Sequence, residues 1–218
     1  MKIVILSRYS GLIDRGVETW AENLRSHLTS VDVTIVSGKD SGNPMSWPEA
    51  DIYIPTNGRF QIILCRLYCW LKNNPLVVFG HSGPGADDKW NLLCSPNVFV
   101  CFSQNQARWA AKFKLPWTRI EVISHAVDTR IFSPPSKKPG KNMVLCVAAN
   151  SPSKRISLVE SAVTLVPKAT FIAVGSGNTR QVPFSQISKV YKAADVFCFV
   201  PMPYEAFGVV FLEALASN

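Results

Sequence analysis

The 218-residue chain has no apolar run near the roughly 20 residues that a membrane-spanning helix needs. The apolar runs, residues 76–79 and 196–200 among them, are strand-sized, so no transmembrane segment is expected. The first residues carry one charge and a very short apolar stretch before Ser7 and Arg8. They lack the long apolar centre and cleavage site of a secretory signal and read as a first β-strand. The six cysteines form no CxxC pair and sit among apolar neighbours, as buried, reduced thiols of a cytoplasmic protein do. The three histidines are dispersed, with no carboxylate at zinc-site spacing, so no bound metal is expected. Charged residues make up only 17% of the chain, and the formal +8 divides into +5 over residues 1–139 and +3 over 140–218. No basic helix, zinc finger or RNA-binding signature appears, so nucleic acid is not the expected partner. So diffuse an excess suits phosphate-bearing small substrates or an anionic membrane surface.

What the chain does contain is an alternation of short apolar segments with amphipathic ones. Strand-like stretches at 2–7, 31–37, 51–55, 76–80, 98–103 and 120–124 are interleaved with helical spacing at 17–28, 61–71 and 104–113. Such alternation predicts an α/β fold with a parallel sheet covered on both faces, the doubly wound arrangement. Residues 133–141 are polar, proline-rich and aperiodic, which marks a linker. The pattern then restarts, with strands at 143–148, 170–174 and 196–200 and helices at 157–165, 187–194 and 208–216. The expected organisation is therefore a first domain at 1–132, a linker at 133–141 and a second domain at 142–218. Three strands leave a parallel sheet with an open edge, so the second domain is expected to be incomplete and the chain truncated.

The chemistry concentrates in residues 191–216, where a strand leads through a proline-rich turn into a helix. Glu205 precedes that helix, Gly208 stands at its start and Glu213 lies within it. Free main-chain N–H groups at a helix start suit a phosphate, and a glycine lets the ligand approach the backbone. A carboxylate further along the helix can accept hydrogen bonds from ribose hydroxyls. Glu213 stands among Val209, Val210, Phe211, Leu212, Ala214 and Leu215, and a charge in such company requires a partner. Lys154 and Arg155 follow a strand and precede a helix, at the end of the sheet where open α/β folds bind ligands. The alternative for that pair is a solvated loop.

This constellation resembles the Glu-x7-Glu signature of retaining GT-B glycosyltransferases, specifically glycosyltransferase family 4, with Glu205 and Glu213 as the two acids. Three further stretches are similar to that family in the same order. They are Arg15-Gly16-Val17-Glu18 in the first loop and helix, residues 122–128 with Phe132 and Pro134 at the crossover, and residues 151–156 in a basic loop. The resemblance implies two Rossmann-like domains, the first on the acceptor side and the second binding a nucleotide sugar. It implies that Glu205 contacts donor-sugar hydroxyls and Glu213 the ribose, while main-chain N–H groups of Phe207 and Gly208 face the phosphates and Lys154 and Arg155 neutralise them. Gly16 implies a loop that approaches the donor phosphates; a plain helix start is its other reading. His81, after the strand at 76–80, corresponds to a histidine at the donor sugar or reacting centre, with a loop-satisfying residue as the alternative. His125 reads as an interdomain packing residue.

Residues 61–72 are apolar nearly all round apart from Arg66 and Lys72, which reads first as a buried core helix and second as a surface resting on lipid. The resemblance as a whole implies a cytoplasmic, metal-independent, retaining hexosyltransferase-type enzyme without cofactor. It would move a sugar from a nucleotide diphosphate sugar to a carbohydrate, lipid-linked or small-molecule acceptor, with peripheral membrane contact as a further expectation. Two other readings share the architecture: an inactive remnant or interaction module, and a nucleotide-sugar epimerase or phosphorylase.

Overall fold

A computed structural model describes residues 1–12, 16–137 and 140–217. The chain forms two compact units, Met1–Ser124 and His125–Asn218. In the first, strands β1 (Lys2–Leu6), β2 (Asp32–Val36), β3 (Ile52–Pro55), β4 (Val77–Phe79), β5 (Val98–Cys101) and β6 (Arg119–Val122) all pair in parallel. They run in the orders β2-β1-β3 and β4-β5-β6, joined by a single parallel bridge between Tyr53 and Leu76. The β-branched run of β1 is buried on both faces, as a central parallel strand must be. Val4 and Leu6 point to one side, where they meet Tyr53, Val78, Phe99 and Cys101; Ile3 and Ile5 point to the other, with Ile54. That alternation divides the core into two layers.

Helix α1 (Gly16–His27) covers the second layer through Ala21. Helices α2 (Arg59–Lys72), α3 (Ala86–Leu93) and α4 (Gln104–Ala110) cover the first, through Ile62, Cys65, Cys69, Leu92 and Ala110. Helix α2 stops at Asn73, whose left-handed backbone returns its N–H to Cys69 and Trp70 carbonyls, with Pro75 soon after. Helix α4 starts where Ser103 Oγ accepts the Gln106 N–H at 3.2 Å. Helix α3 escaped the periodicity reading because it opens with Asp87, Asp88 and Lys89 after a Gly83-Pro84-Gly85 turn. The expectation of a core helix over 61–72 holds for one side only: Phe60, Leu64, Leu67 and Leu71 are exposed, because the sheet supports a single face of α2.

The second unit has strands β7 (Met143–Val147), β8 (Thr170–Val174) and β9 (Val196–Phe197), all parallel, in the order β8-β7-β9. Helices α5 (Ile156–Val163), α6 (Phe184–Lys192) and α7 (Val209–Ala216) pack on them. Residues 125–132, placed from sequence with the first domain, belong to this unit. Phe132 is buried among Leu145, Val174, Ile187 and Tyr191, and Ser188 Oγ donates to the Ile131 carbonyl at 2.6 Å. The end of the expected linker is tied down as well: Asp195 accepts the main-chain N–H groups of Gly140, Lys141 and Met143 at 2.7, 2.9 and 3.0 Å.

Candidate functional site

In the order β8-β7-β9 the chain adds strands to opposite sides of β7, so the switch point lies between β7 and β9. Loops leaving the carboxyl ends of those two strands diverge there and create the ligand position of open α/β sheets. In this protein the two loops are clasped together. Lys154, at the end of a short 3-10 turn (Pro152–Lys154), sets its Nζ 2.5 Å from Glu205 Oε2, both side chains about one-quarter exposed. Arg155 adopts a left-handed conformation with φ +47°, which turns its guanidinium across the same gap. It donates to the Val200 carbonyl at 2.9 Å and the Pro201 carbonyl at 3.3 Å. The Met202 N–H closes the clasp on the Ser153 carbonyl at 2.8 Å.

Behind this clasp α7 begins at Gly208, whose φ of +76° is left-handed. A Cβ there would sit 2.8 Å from the Phe211 ring, so glycine is required by both conformation and space. Phe207 packs its ring 5.4 Å from His125, which therefore sits on the helix-start loop of its own unit. Burial lowers the His125 pKa to about 4 and keeps the imidazole neutral. Glu213, only 9% exposed, accepts the Tyr191 hydroxyl at 2.7 Å. Burial raises the carboxyl pKa of Glu213, and the tyrosine hydrogen bond opposes that rise. The partner the apolar helix required is thus a neutral phenol on α6, which sequence spacing did not reveal. The loop leaving β7 also borders an open groove of about 1010 Å³ on its β8 side, lined by Asn150, Ser157, Asn178 and Arg180; neither Lys154 nor Glu205 lines it.

The remaining predicted residues lie in the first unit. Gly16 is the first residue of α1 and exposed, while Arg15 of the same motif lies outside the described residues. His81 follows β4, its ring 4.7 Å from Trp20 and 5.1 Å from Phe102. The loop that carries it rests on Asp88, a carboxylate sequence reasoning passed over. Asp88 is fully buried and accepts from Gln106 Nε2 at 3.1 Å and Asn91 Nδ2 at 3.2 Å. Burial raises its pKa to about 7, against the lowering effect of Gln106, Asn91 and the N–H groups of Gly83 and Ser82. Gln106 reaches on to the Gly80 carbonyl at 2.5 Å. A Cβ on Gly80 would fall 2.3 Å from Gln106 Nε2, which explains the glycine at the end of β4. An acidic pair at a helix start reads as ordinary first-turn charge, and only the tertiary fold separates exposed Asp87 from buried Asp88.

No protein-family model and no curated protein matches the sequence. Solved structures do. Anabaena HepE, crystallised in complex with UDP and glucose, superposes with a TM-score of 0.78 at 14% identity over 99% of this chain and 78% of its own. The pneumococcal O-GlcNAc transferase GtfA in complex with UDP and GlcNAc gives 0.63 at 15% identity over 82% of this chain and 44% of its own. TarM of S. aureus gives 0.61 at 16% identity over 76% and 39%. At these identities the likeness is one of fold: an α/β chain of GT-B type, with Rossmann-like parallel-sheet units.

Proposed function

We propose that the chain is a retaining, metal-independent glycosyltransferase of family 4 whose second unit holds a uridine diphosphate sugar and passes the sugar to an acceptor taken up by the first. The observation that carries this reading is the juxtaposition of Lys154 and Glu205 at the β7/β9 switch point. It sets a cation suited to a pyrophosphate beside a carboxylate suited to sugar hydroxyls. Support comes from the ligands of the similar structures, UDP with glucose in HepE and UDP with GlcNAc in GtfA.

The chemistry follows from charge. As the bond from the anomeric carbon to the diphosphate breaks, negative charge accumulates on the leaving group and positive charge on the carbon. Lys154, released from Glu205, and the main-chain N–H groups at the start of α7 stabilise the former. Glu205 exchanges its bond to Lys154 for the hydroxyls of the donor sugar, and Glu213, oriented by Tyr191, accepts from the ribose. The acceptor hydroxyl attacks from the side the diphosphate leaves, and a departing phosphate oxygen takes its proton, so configuration is retained and no side chain acts as nucleophile. His81 belongs to the acceptor side of this scheme, as a hydrogen-bonding group at the reacting sugar. Calorimetric titration with UDP, GDP and ADP tests the reading: UDP binds best, and Lys154→Gln weakens it about tenfold or more, the value of a charge-assisted hydrogen bond. Equal affinity in parent and variant contradicts it. Formation of an epimer instead of released UDP from a UDP-sugar would assign an isomerase.

A further inference from the structure

A carboxylate whose burial costs stability underlies the loop that follows β4. Asp88 is fully buried on α3, where it accepts N–H groups from Gln106, Asn91, Ser82 and Gly83. Four donors suit an ionised carboxylate and leave the O–H of a protonated one without an acceptor. Burial nevertheless raises the Asp88 pKa to about 7, against the lowering effect of those donors. The ionised form is therefore costly near neutrality, where an amide of the same shape would carry no such cost. Fold stability alone does not account for an acid at this position; its contacts do.

Those contacts bracket His81. Gln106, itself fully buried, donates to Asp88 at 3.1 Å and to the Gly80 carbonyl at 2.5 Å, and its Oε1 accepts the Phe102 N–H at 2.8 Å. Gly80 precedes His81, Ser82 and Gly83 follow it, and the Phe102 ring lies 5.1 Å from the imidazole. Asn91 supplies what a proton on Asp88 would need. It is only 6% exposed and gives its Nδ2 to Asp88 at 3.2 Å, while its Oδ1, beside Gly58, has no hydrogen-bond partner among the described residues. A half-turn of that amide presents Oδ1 to the carboxyl O–H. Of the other titratable groups around Asp88, Cys101 on β5 stays a neutral thiol, pushed up to about 12 by burial and by the Asp88 charge. Asp87 pairs with Arg59 of α2 at 3.3 Å at the surface, and Lys89 lies over the Phe113 ring at 4.5 Å. Only His81 shares the loop that Asp88 holds.

We propose that Asp88 is a positioning residue for His81: as an anion it holds the Ser82 and Gly83 N–H groups and fixes the imidazole, and on taking up a proton, which it donates to Asn91, it slackens that hold. Its bearing on turnover rests on the reading of His81 as a group at the reacting sugar. NMR of the parent and of Asp88→Asn tests the coupling without reference to turnover. In the parent, the Asp88 carboxyl carbon and the Ser82 and Gly83 N–H groups are expected to shift together, with one midpoint, between about pH 6 and about pH 8, and the His81 ring to report the same step. Asp88→Asn keeps the shape, stays neutral and can donate to Asn91, so the step is expected to vanish from both N–H groups. A step that persists in the variant, or that is absent from the parent, overturns the proposal. Release of UDP from UDP-glucose is measured alongside. In the parent kcat is expected to rise with pH across that window; in Asp88→Asn it is flat and about fivefold or more lower at the upper end, with UDP affinity unchanged. A variant whose kcat follows the parent's pH profile also overturns the proposal. The NMR step without any release of UDP supports the coupling and counts against the glycosyl-transfer reading instead.

Discussion

Lys154 Nζ and Glu205 Oε2 lie 2.5 Å apart, joining the loop that leaves β7 to the loop that leaves β9 across 51 positions of sequence. Both side chains are three-quarters buried, and a pair so placed resists removal of one member more than it stabilises the fold as a pair. Substitution on its two sides should therefore have different consequences for ligand binding. Glu205→Gln leaves the ammonium without its counter-ion, so UDP affinity is expected to hold or rise while the extra affinity of a UDP-sugar over UDP is lost. Lys154→Gln is expected to weaken both ligands alike. Calorimetry on the two variants checks this; parallel losses in both would assign the pair to holding the loops.

Arg155 is engaged by two main-chain carbonyls, those of Val200 and Pro201. Arg155→Ala removes both hydrogen bonds and leaves the left-handed backbone as it is, so the second unit is expected to lose about 1–2 kcal/mol in urea denaturation. An unchanged midpoint together with lost UDP affinity would put the guanidinium on the phosphates instead.

Tyr191 supplies the hydroxyl that Glu213 accepts in an apolar setting. Tyr191→Phe keeps the ring and removes the donor, leaving a buried carboxylate with one partner fewer at a cost of about 1–3 kcal/mol. Because burial already raises the pKa of Glu213, the variant is expected to be hurt more as pH rises and the carboxyl is driven to ionise. A thermal midpoint equal to the parent's across the range would rule out that dependence.

Asp88 provides a sharper pH signature. With a folded pKa of about 7 against an ordinary 3.8, the native state binds the extra proton between those values, so stability falls as pH rises through that window. The contribution is about 4 kcal/mol for a difference of roughly three units. Asp88→Asn has no proton to lose, so it should gain on the parent by that amount between about pH 4 and pH 8. Parallel stability–pH profiles for variant and parent would show that Asp88 does not titrate in this window.

The elements most legible in sequence were those whose signal is local. The β-branched runs of β1 and β8 are strands because the apolar residues that follow Lys2 and Thr170 suit a buried parallel position, and α1 and α6 follow helical apolar spacing. Glu205, Gly208, Glu213 and Lys154 could be singled out because their residue types are anomalous for where they stand: acids beside an apolar helix, a glycine at its start, a cation at a strand end. Helix α3 was missed because its buried side is carried by Asp88, Asn91 and Leu92, a mixture with no apolar period.

Local residue types thus determined the alternation of strands and helices and the restart beyond the proline-rich segment. Tertiary structure alone decided that Lys154 meets Glu205, that Tyr191 answers Glu213, that residues 125–132 pack with the second unit, and that one side of α2 faces solvent. The physical reason is that each of these depends on strand order and on which face of a sheet a helix covers. Those choices bring together residues tens of positions apart and leave no periodic trace in the chain.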